Sequence, residues 1–234
     1  DVGQHRRWSR LSLHSKLVLV TTLGLIIGGA LLLFFIELFN PLSRPLTGWE
    51  RVWGAYFQSV SRTSGFNTLD IGTMLPTSQF LLMLLMFVGA SPGSTGGGIK
   101  TTTVALLAVM VVSVIRGRRD VAVFQRRIPQ EQLMRALVLF LLGVATVIVV
   151  ALMLSFTERE QATGFFPVLF EATSAFSING LSMGLTPHLS PTGKVLLILT
   201  MLAGRVGPLT VAFALTQTQP KETYRYPEEK VLIG

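Results

Sequence analysis

The sequence predicts an all-α integral membrane protein built from two tandem copies of one unit. Each unit is a long span, a half-length helix and a second span. Three observations predict this. Half of the residues are hydrophobic and 14% are charged, with a mean hydropathy of +0.57, which suits a polytopic membrane protein and is poor for a soluble globule. Two runs carry no charge, Leu17 to Ile36 (20 residues) and Ala136 to Thr157 (22 residues); about 20 apolar residues take a helix across the hydrocarbon core. Finally, an offset of 115 residues lays Ser59, Gly65, Pro76, Thr77 and Gly89 on Ser174, Gly180, Pro191, Thr192 and Gly204. Leu81, Leu82, Leu84 and Met86 likewise match Leu196, Leu197, Leu199 and Met201, giving nine identities in the 31 positions from Ser59 to Gly89. The same offset overlays the two uncharged runs, so both copies share one orientation.

Residues 1–16 read as a cytoplasmic segment carrying Arg6, Arg7, Arg10 and Lys16. The chain starts at Asp1 rather than Met, as expected of a processed product or a fragment. The first unit is 17–115. Its long run meets Asn40-Pro41 instead of a small-residue cleavage site, which excludes a signal peptide. Its short segment, Trp49 to Val60, places Trp49, Trp53, Tyr56 and Phe57 where aromatic rings favour the membrane interface. This segment is too short to cross a bilayer and reads as a re-entrant helix, followed by the turn Thr63-Ser64-Gly65-Phe66.

The second span of the first unit is interrupted. Apolar residues Phe80 to Val88 give way to Gly89-Ala90-Ser91-Pro92-Gly93-Ser94-Thr95-Gly96-Gly97-Gly98-Ile99-Lys100, and a helical pattern resumes from Thr101 to Ile115. Glycine and proline break the helical ladder. Unwound backbone at membrane depth is tolerated only where protein buries it or water bathes it. The break therefore marks a pore or a substrate site, with Gly93, Gly96, Gly97 and Gly98 as a flexible gate. Lys100 either faces the pore or snorkels to the cytoplasmic surface.

Residues 116–130 form a basic cytoplasmic loop, and 131–218 the second unit. Its short helix is Gly164 to Phe176 and its turn Ile178-Asn179-Gly180-Leu181. Arg205 stands in the middle of the apolar run Val195 to Ala214, too far from either end to snorkel. An ionisable residue at that depth is a functional-site hypothesis by default, here an electrostatic plug in a cation path. The cytoplasmic tail is 219–234. Thirteen basic residues lie in segments assigned inside and five (Arg44, Arg51, Arg62, Arg159, Lys194) in segments assigned outside, in line with the positive-inside rule.

The turns carry the chemistry. A dehydrated potassium ion needs a ring of backbone carbonyls to replace its hydration shell, and glycine takes the dihedrals such a ring demands. The C-terminal ends of the short helices add partial negative charge. The backbone of Thr63, Ser64, Gly65, Ile178, Asn179 and Gly180 is the candidate potassium site, with Phe66 and Leu181 completing the strands. Two strands cannot close a four-strand ring, so the chain either lacks half of its pore or pairs with a second copy.

Other classes fit less well. Nucleic-acid binding is not expected from the +8 net charge, because no basic stripe is interleaved with aromatics. The absence of cysteine excludes disulfides and thiolate metal sites, and His5, His14 and His188 are scattered in loops. Gly93 to Thr101 resembles a phosphate-binding loop, but Ile99 separates the last glycine from Lys100 and no strand precedes it. An ATPase using Lys100, and a purely structural membrane subunit, are the competing readings.

With these residues in place, the sequence resembles the Trk/Ktr/HKT family of potassium transporters, most closely the C-terminal half of a bacterial KtrB-type subunit. The resemblance rests on Ser61-Arg62-Thr63-Ser64-Gly65-Phe66-Asn67-Thr68, on Gly89 to Lys100, on Ser174-Ala175-Phe176 leading to Gly180-Leu181-Ser182-Met183-Gly184, and on Gly204-Arg205-Val206-Gly207-Pro208. It implies four repeats around a pseudo-fourfold, potassium-channel-like pore, of which these are the third and fourth. It also implies filter glycines at Gly65 and Gly180, an intramembrane gate at the break, and an arginine, Arg205, below the filter. Potassium uptake at the plasma membrane follows, with no covalent cofactor and with sodium as a coupling or activating ion. So do a homodimer contacted through the tail Lys230-Val231-Leu232-Ile233-Gly234 and a cytosolic ring of nucleotide-binding regulatory subunits. Asn179 departs from the family, which usually has a small or apolar residue there, and its side chain is placed to hydrogen-bond behind the filter or to alter selectivity.

Overall fold

The computed structural model describes residues 11–41, 47–118, 120–159 and 164–217, with side chains to 206. Seven helices dominate the described residues: α1 Leu13–Glu37, α2 Gly48–Ser61, α3 Pro76–Phe87, α4 Thr101–Ile115, α5 Gln130–Thr157, α6 Phe165–Ser177 and α7 Pro191–Gln217. Single 3-10 turns, Ile71–Thr73 and Thr186–His188, precede α3 and α7. The order long helix, half-length helix, turn, 3-10 turn, helix thus runs twice along the chain. Among the described residues, α1 and α5 are long and apolar enough to cross a membrane, while α3 and α4 are apolar but shorter.

Local chemistry sets the helix ends. Ser12 caps α1 by accepting from the Ser15 amide, and Thr47 with Glu50 forms a capping box on α2, satisfying amides that lack an intrahelical partner. The segments before α3 and α7 are each tied to a buried glutamate at the end of the preceding long helix. Glu37 accepts from the Leu75 amide at 3.1 Å, and Glu158 accepts from the Ser190 amide at 3.1 Å and from its hydroxyl. Pro76 and Pro191 then begin helices where a missing N–H does no harm. The long uncharged runs had obscured these two carboxylates, which lie just past their C-terminal ends.

Where a plain basic loop was expected over 116–130, the chain makes a small hairpin. Ala122 pairs with Arg127 and Val123 with Arg126. Phe124 and Gln125 turn it with φ of 49° and 62°, and Asp120 meets Arg127 at 2.9 Å.

Helix α6 packs against α3, α5 and α7, so the second half-length helix touches both halves of the chain. Phe170, fully buried, joins Leu33, Ala55, Leu82 and Met86 in one core cluster, while Ala172 and Ala175 join Val150, Leu154 and Leu197 in another. The outward faces of α1 and α5 are apolar, with Leu23, Ile27, Phe35, Leu141, Ile148 and Leu152 all at least half exposed. Patches of this kind require a covering partner, protein or membrane.

Candidate functional site

The two glycine turns meet. Gly65 (φ 76°) and Gly180 (φ 89°) both take the left-handed conformation, which costs a residue with a Cβ about 1–2 kcal/mol. Gly65 lies so close to the second turn that a Cβ on it would overlap the Asn179 carbonyl. Each turn is held on its helix side through its amides. The Ser64 and Gly65 amides donate to the Ser61 carbonyl at 2.8 and 3.1 Å, and the Asn179 amide donates to Ser174 at 3.0 Å. Among the described residues, the carbonyls of Thr63, Ser64, Gly65 and Phe66, and those of Ile178, Asn179, Gly180 and Leu181, accept no hydrogen bond. Ser64, Phe66 and Gly180 are exposed and Thr63, Gly65 and Ile178 half-buried, so most of these oxygens stand on residues open to the surroundings. Two adjacent turns with unclaimed carbonyls are suited to replace part of a cation's hydration shell.

The flanking side chains differ. Leu181 is buried in the core cluster, whereas Phe66 is 70% exposed. The Asn179 carboxamide is 5% exposed. Neither its oxygen nor its nitrogen has a partner among the described residues, so the hydrogen bond expected behind the second turn is not made among them.

Helices α3 and α4 are separated by non-helical residues 88–100. The ends of this segment are pinned together: the Gly89 amide donates to the Ile99 carbonyl at 2.8 Å, and the Ile99 amide to Phe87 at 3.2 Å. Ile99 is 1% exposed and fills a notch that Gly143 leaves in α5. Of the four candidate gate glycines, Gly97 and Gly98 pack directly on Ser177 and Ile178 at the base of the second turn. Gly96 rests on Ala90, and Gly93 (φ 85°) points into open space. The structure therefore brings two of them to the turn and leaves two on the outer part of the loop.

The two cations near this loop behave differently from a snorkelling pair. The Lys100 ammonium folds back and donates to the Gly96 carbonyl at 2.6 Å, and it lies within repulsive range of Arg205. Arg205 is exposed on α7 one residue past Gly204, whose Cα abuts the Phe176 carbonyl two residues before Ile178. Both charges thus stand on the gate-loop side of the second turn. Nothing here resembles a phosphate cradle, because the lysine is already engaged and a helix precedes the loop.

Two buried charged side chains near the turns escaped the sequence reading. Arg62, counted among charges outside the membrane, is 3% exposed and is not a solvated loop residue. Its guanidinium donates to the carbonyls of Leu85, at 2.9 Å, and of Val88. Glu171, on α6, is 4% exposed. It accepts from the hydroxyls of Thr186, at 2.9 Å, and Ser182, bracing the strand that leaves the second turn. A lone acid inside a half-length apolar helix was the available signal. Glu171→Ala would take the acceptor from the half-buried Ser182 hydroxyl, at about 1–3 kcal/mol, while the exposed Thr186 hydroxyl keeps the Ser182 hydroxyl oxygen at 3.1 Å. A lower unfolding midpoint of the detergent-solubilised protein is expected, with Glu171→Gln keeping part of the loss.

Residues 3–225 match the family TrkH, described as cation transport protein. The chain is 38% identical to the Ktr system potassium uptake protein B of Bacillus subtilis, covering 100% of this chain and 52% of that protein. It is 37% identical to the potassium/sodium uptake protein NtpJ of Enterococcus hirae, covering 100% of this chain and 53% of that protein. The chain spans about half the length of these curated relatives. Among solved structures, the potassium transporter TrkH from Vibrio parahaemolyticus shares the fold, with a TM-score of 0.65 and 23% identity over 86% of this chain and 43% of that one.

Proposed function

The chain belongs to the TrkH family of cation transport proteins, a family of membrane transporters and not of enzymes, and on that premise we propose that it forms half of a potassium uptake pore. The observation that carries this reading is the meeting of two glycine turns whose carbonyls are unclaimed. Potassium sheds water only for a ring of such oxygens, and Thr63 to Phe66 with Ile178 to Leu181 supply two of its four strands. The substrate is potassium, and sodium serves as coupling or activating ion; a relative named for potassium and sodium uptake supports the latter.

In this reading the chain is two copies of a span–pore helix–span unit, over 17–115 and 131–218, in a multi-pass arrangement with both termini and the 116–130 loop in the cytoplasm. The first copy has a broken second span. Its loop is the gate, with Gly97 and Gly98 seated against the filter and Gly93 and Gly96 free to lead its opening. Lys100 and Arg205 place positive charge across the path on the same side. The bilayer covers the outward apolar faces. An N-terminal half supplies the other two filter strands, and the Asn179 carboxamide, without a partner among the described residues, marks where a neighbouring strand would reach. The homodimer contact through the tail lies outside the described residues, and the cytosolic nucleotide-binding ring rests on the family resemblance.

Rubidium flux into liposomes, with sodium-only controls, tests the reading. The chain alone should be silent, and co-assembly with the N-terminal half should give potassium-selective flux. Selective flux from this chain alone would instead favour a two-repeat channel that dimerises to complete its pore. Silence from the well-folded, co-assembled halves would remove the transport reading.

A further inference from the structure

The buried Arg62 guanidinium has no place in the mechanism above, yet it joins that mechanism's two working parts. It directly precedes the first turn, Thr63 to Phe66, and its Nη1 donates to the Leu85 and Val88 carbonyls, the acceptors left free where α3 ends. A helix terminus leaves its last carbonyls without intrahelical donors. Here the Phe87 carbonyl is taken by the amides of Gly89 and Ile99, and Arg62 serves the carbonyl of Leu85, two residues before it, and that of Val88, one after. Among the described residues it makes no ion pair with a carboxylate. Its counter-charge is the negative end of the α3 dipole, an interaction strengthened by burial.

The second half of the chain supplies an internal control. At the same offset of 115 residues, Arg62 corresponds to Ser177, Leu85 to Thr200 and Val88 to Ala203. The Ser177 hydroxyl donates within its own helix, to Thr173 at 2.7 Å, and α7 runs unbroken from Pro191 to Gln217. Where the helix is continuous there are no freed carbonyls, and no arginine is placed to take them. The arginine and the interruption occur together.

Resting on the filter-and-gate reading above, we propose that Arg62 is a positioning residue that clamps the gate's hinge to the first filter strand. It fixes the end of α3, so that motion of the loop begins beyond Val88 and leaves Thr63, Ser64 and Gly65 in place. An arginine suits the task because one planar, permanently charged group carries five donors on a rigid fork. A lysine has a point charge on a flexible stem and would hold the two carbonyls less firmly.

The test uses the assembled full-length transporter in proteoliposomes, with Arg62→Gln, Arg62→Lys and Gly65→Ala compared in parallel. Arg62→Gln should lower potassium-over-sodium discrimination at least tenfold and raise ungated flux together, with Arg62→Lys intermediate. If Arg62→Gln fails to assemble, the Lys variant is read through Ser94→Cys on the loop, with any cysteine of the N-terminal half replaced, since these 234 residues hold none. Its thiol should then react with a water-soluble maleimide several times faster than on the Arg62 background. Normal selectivity, gating and thiol reactivity in the Lys variant, or normal selectivity and gating in an assembled Gln variant, would overturn the clamp. If Gly65→Ala also leaves flux and selectivity unchanged, the filter reading itself fails; if only Gly65→Ala is impaired, the clamp alone does.

Discussion

Arg205→Ala in the assembled transporter is expected to raise ion leak by about tenfold or more. Two unit positive charges on the order of 8 Å apart repel by about 2 kcal/mol at an effective dielectric constant of about 20, and about 1.4 kcal/mol is a factor of ten. The placement favours that effect, since Arg205 follows the Gly204–Phe176 contact at the base of the second turn and stays exposed on α7. Lys100 stands within repulsive range and keeps part of the field, so the Arg205→Ala, Lys100→Ala pair should leak more than either single variant. Arg205→Lys should leak little. Rubidium efflux from loaded proteoliposomes reads all four proteins. Unchanged or lower flux in a normally assembled Arg205→Ala protein would rule out the plug.

Gly65→Ala should abolish selective flux, and Gly180→Ala should reduce it less. Both positions have a positive φ, so either alanine carries about 1–2 kcal/mol of backbone strain. The environments differ. A Cβ at Gly65 overlaps the backbone of Asn179, whereas nothing lies within 4 Å of one at Gly180. The overlap adds about 1–3 kcal/mol of overpacking and pushes apart the two turns whose contact defines the site. Potassium and sodium flux measured on both variants separates the cases. A purely structural subunit would transport normally with either alanine.

The helical class, the glycine turns and the interruption between Phe87 and Thr101 were legible because each leaves a strong one-dimensional mark. Hydropathy fixes long helices, and glycines in register announce turns. The tertiary ties were not legible. Arg62 looks like an ordinary loop cation until α3 is seen to end against it. Glu37 and Glu158 read as the charges that terminate an apolar run, although each reaches across to the segment preceding another helix. Their spacing to those segments differs between the halves, 38 residues for Glu37–Leu75 and 32 for Glu158–Ser190, so a single offset cannot reveal them. The candidate gate glycines looked equivalent in sequence, and only packing divides Gly97 and Gly98 from Gly93 and Gly96.

The pinned ends of the 88–100 segment have a mechanical corollary. Because Val88 and Ile99 are bridged and Ile99 is seated in α5, the segment hangs from a closed neck as a side flap. It is not a spacer in series with α3 and α4, and a compact loop of this size can rearrange while its ends stay together. Swinging it need not move Phe87 or Ile99, the residues at the neck, so the flap can change position while the helices on either side of it stay where they are packed.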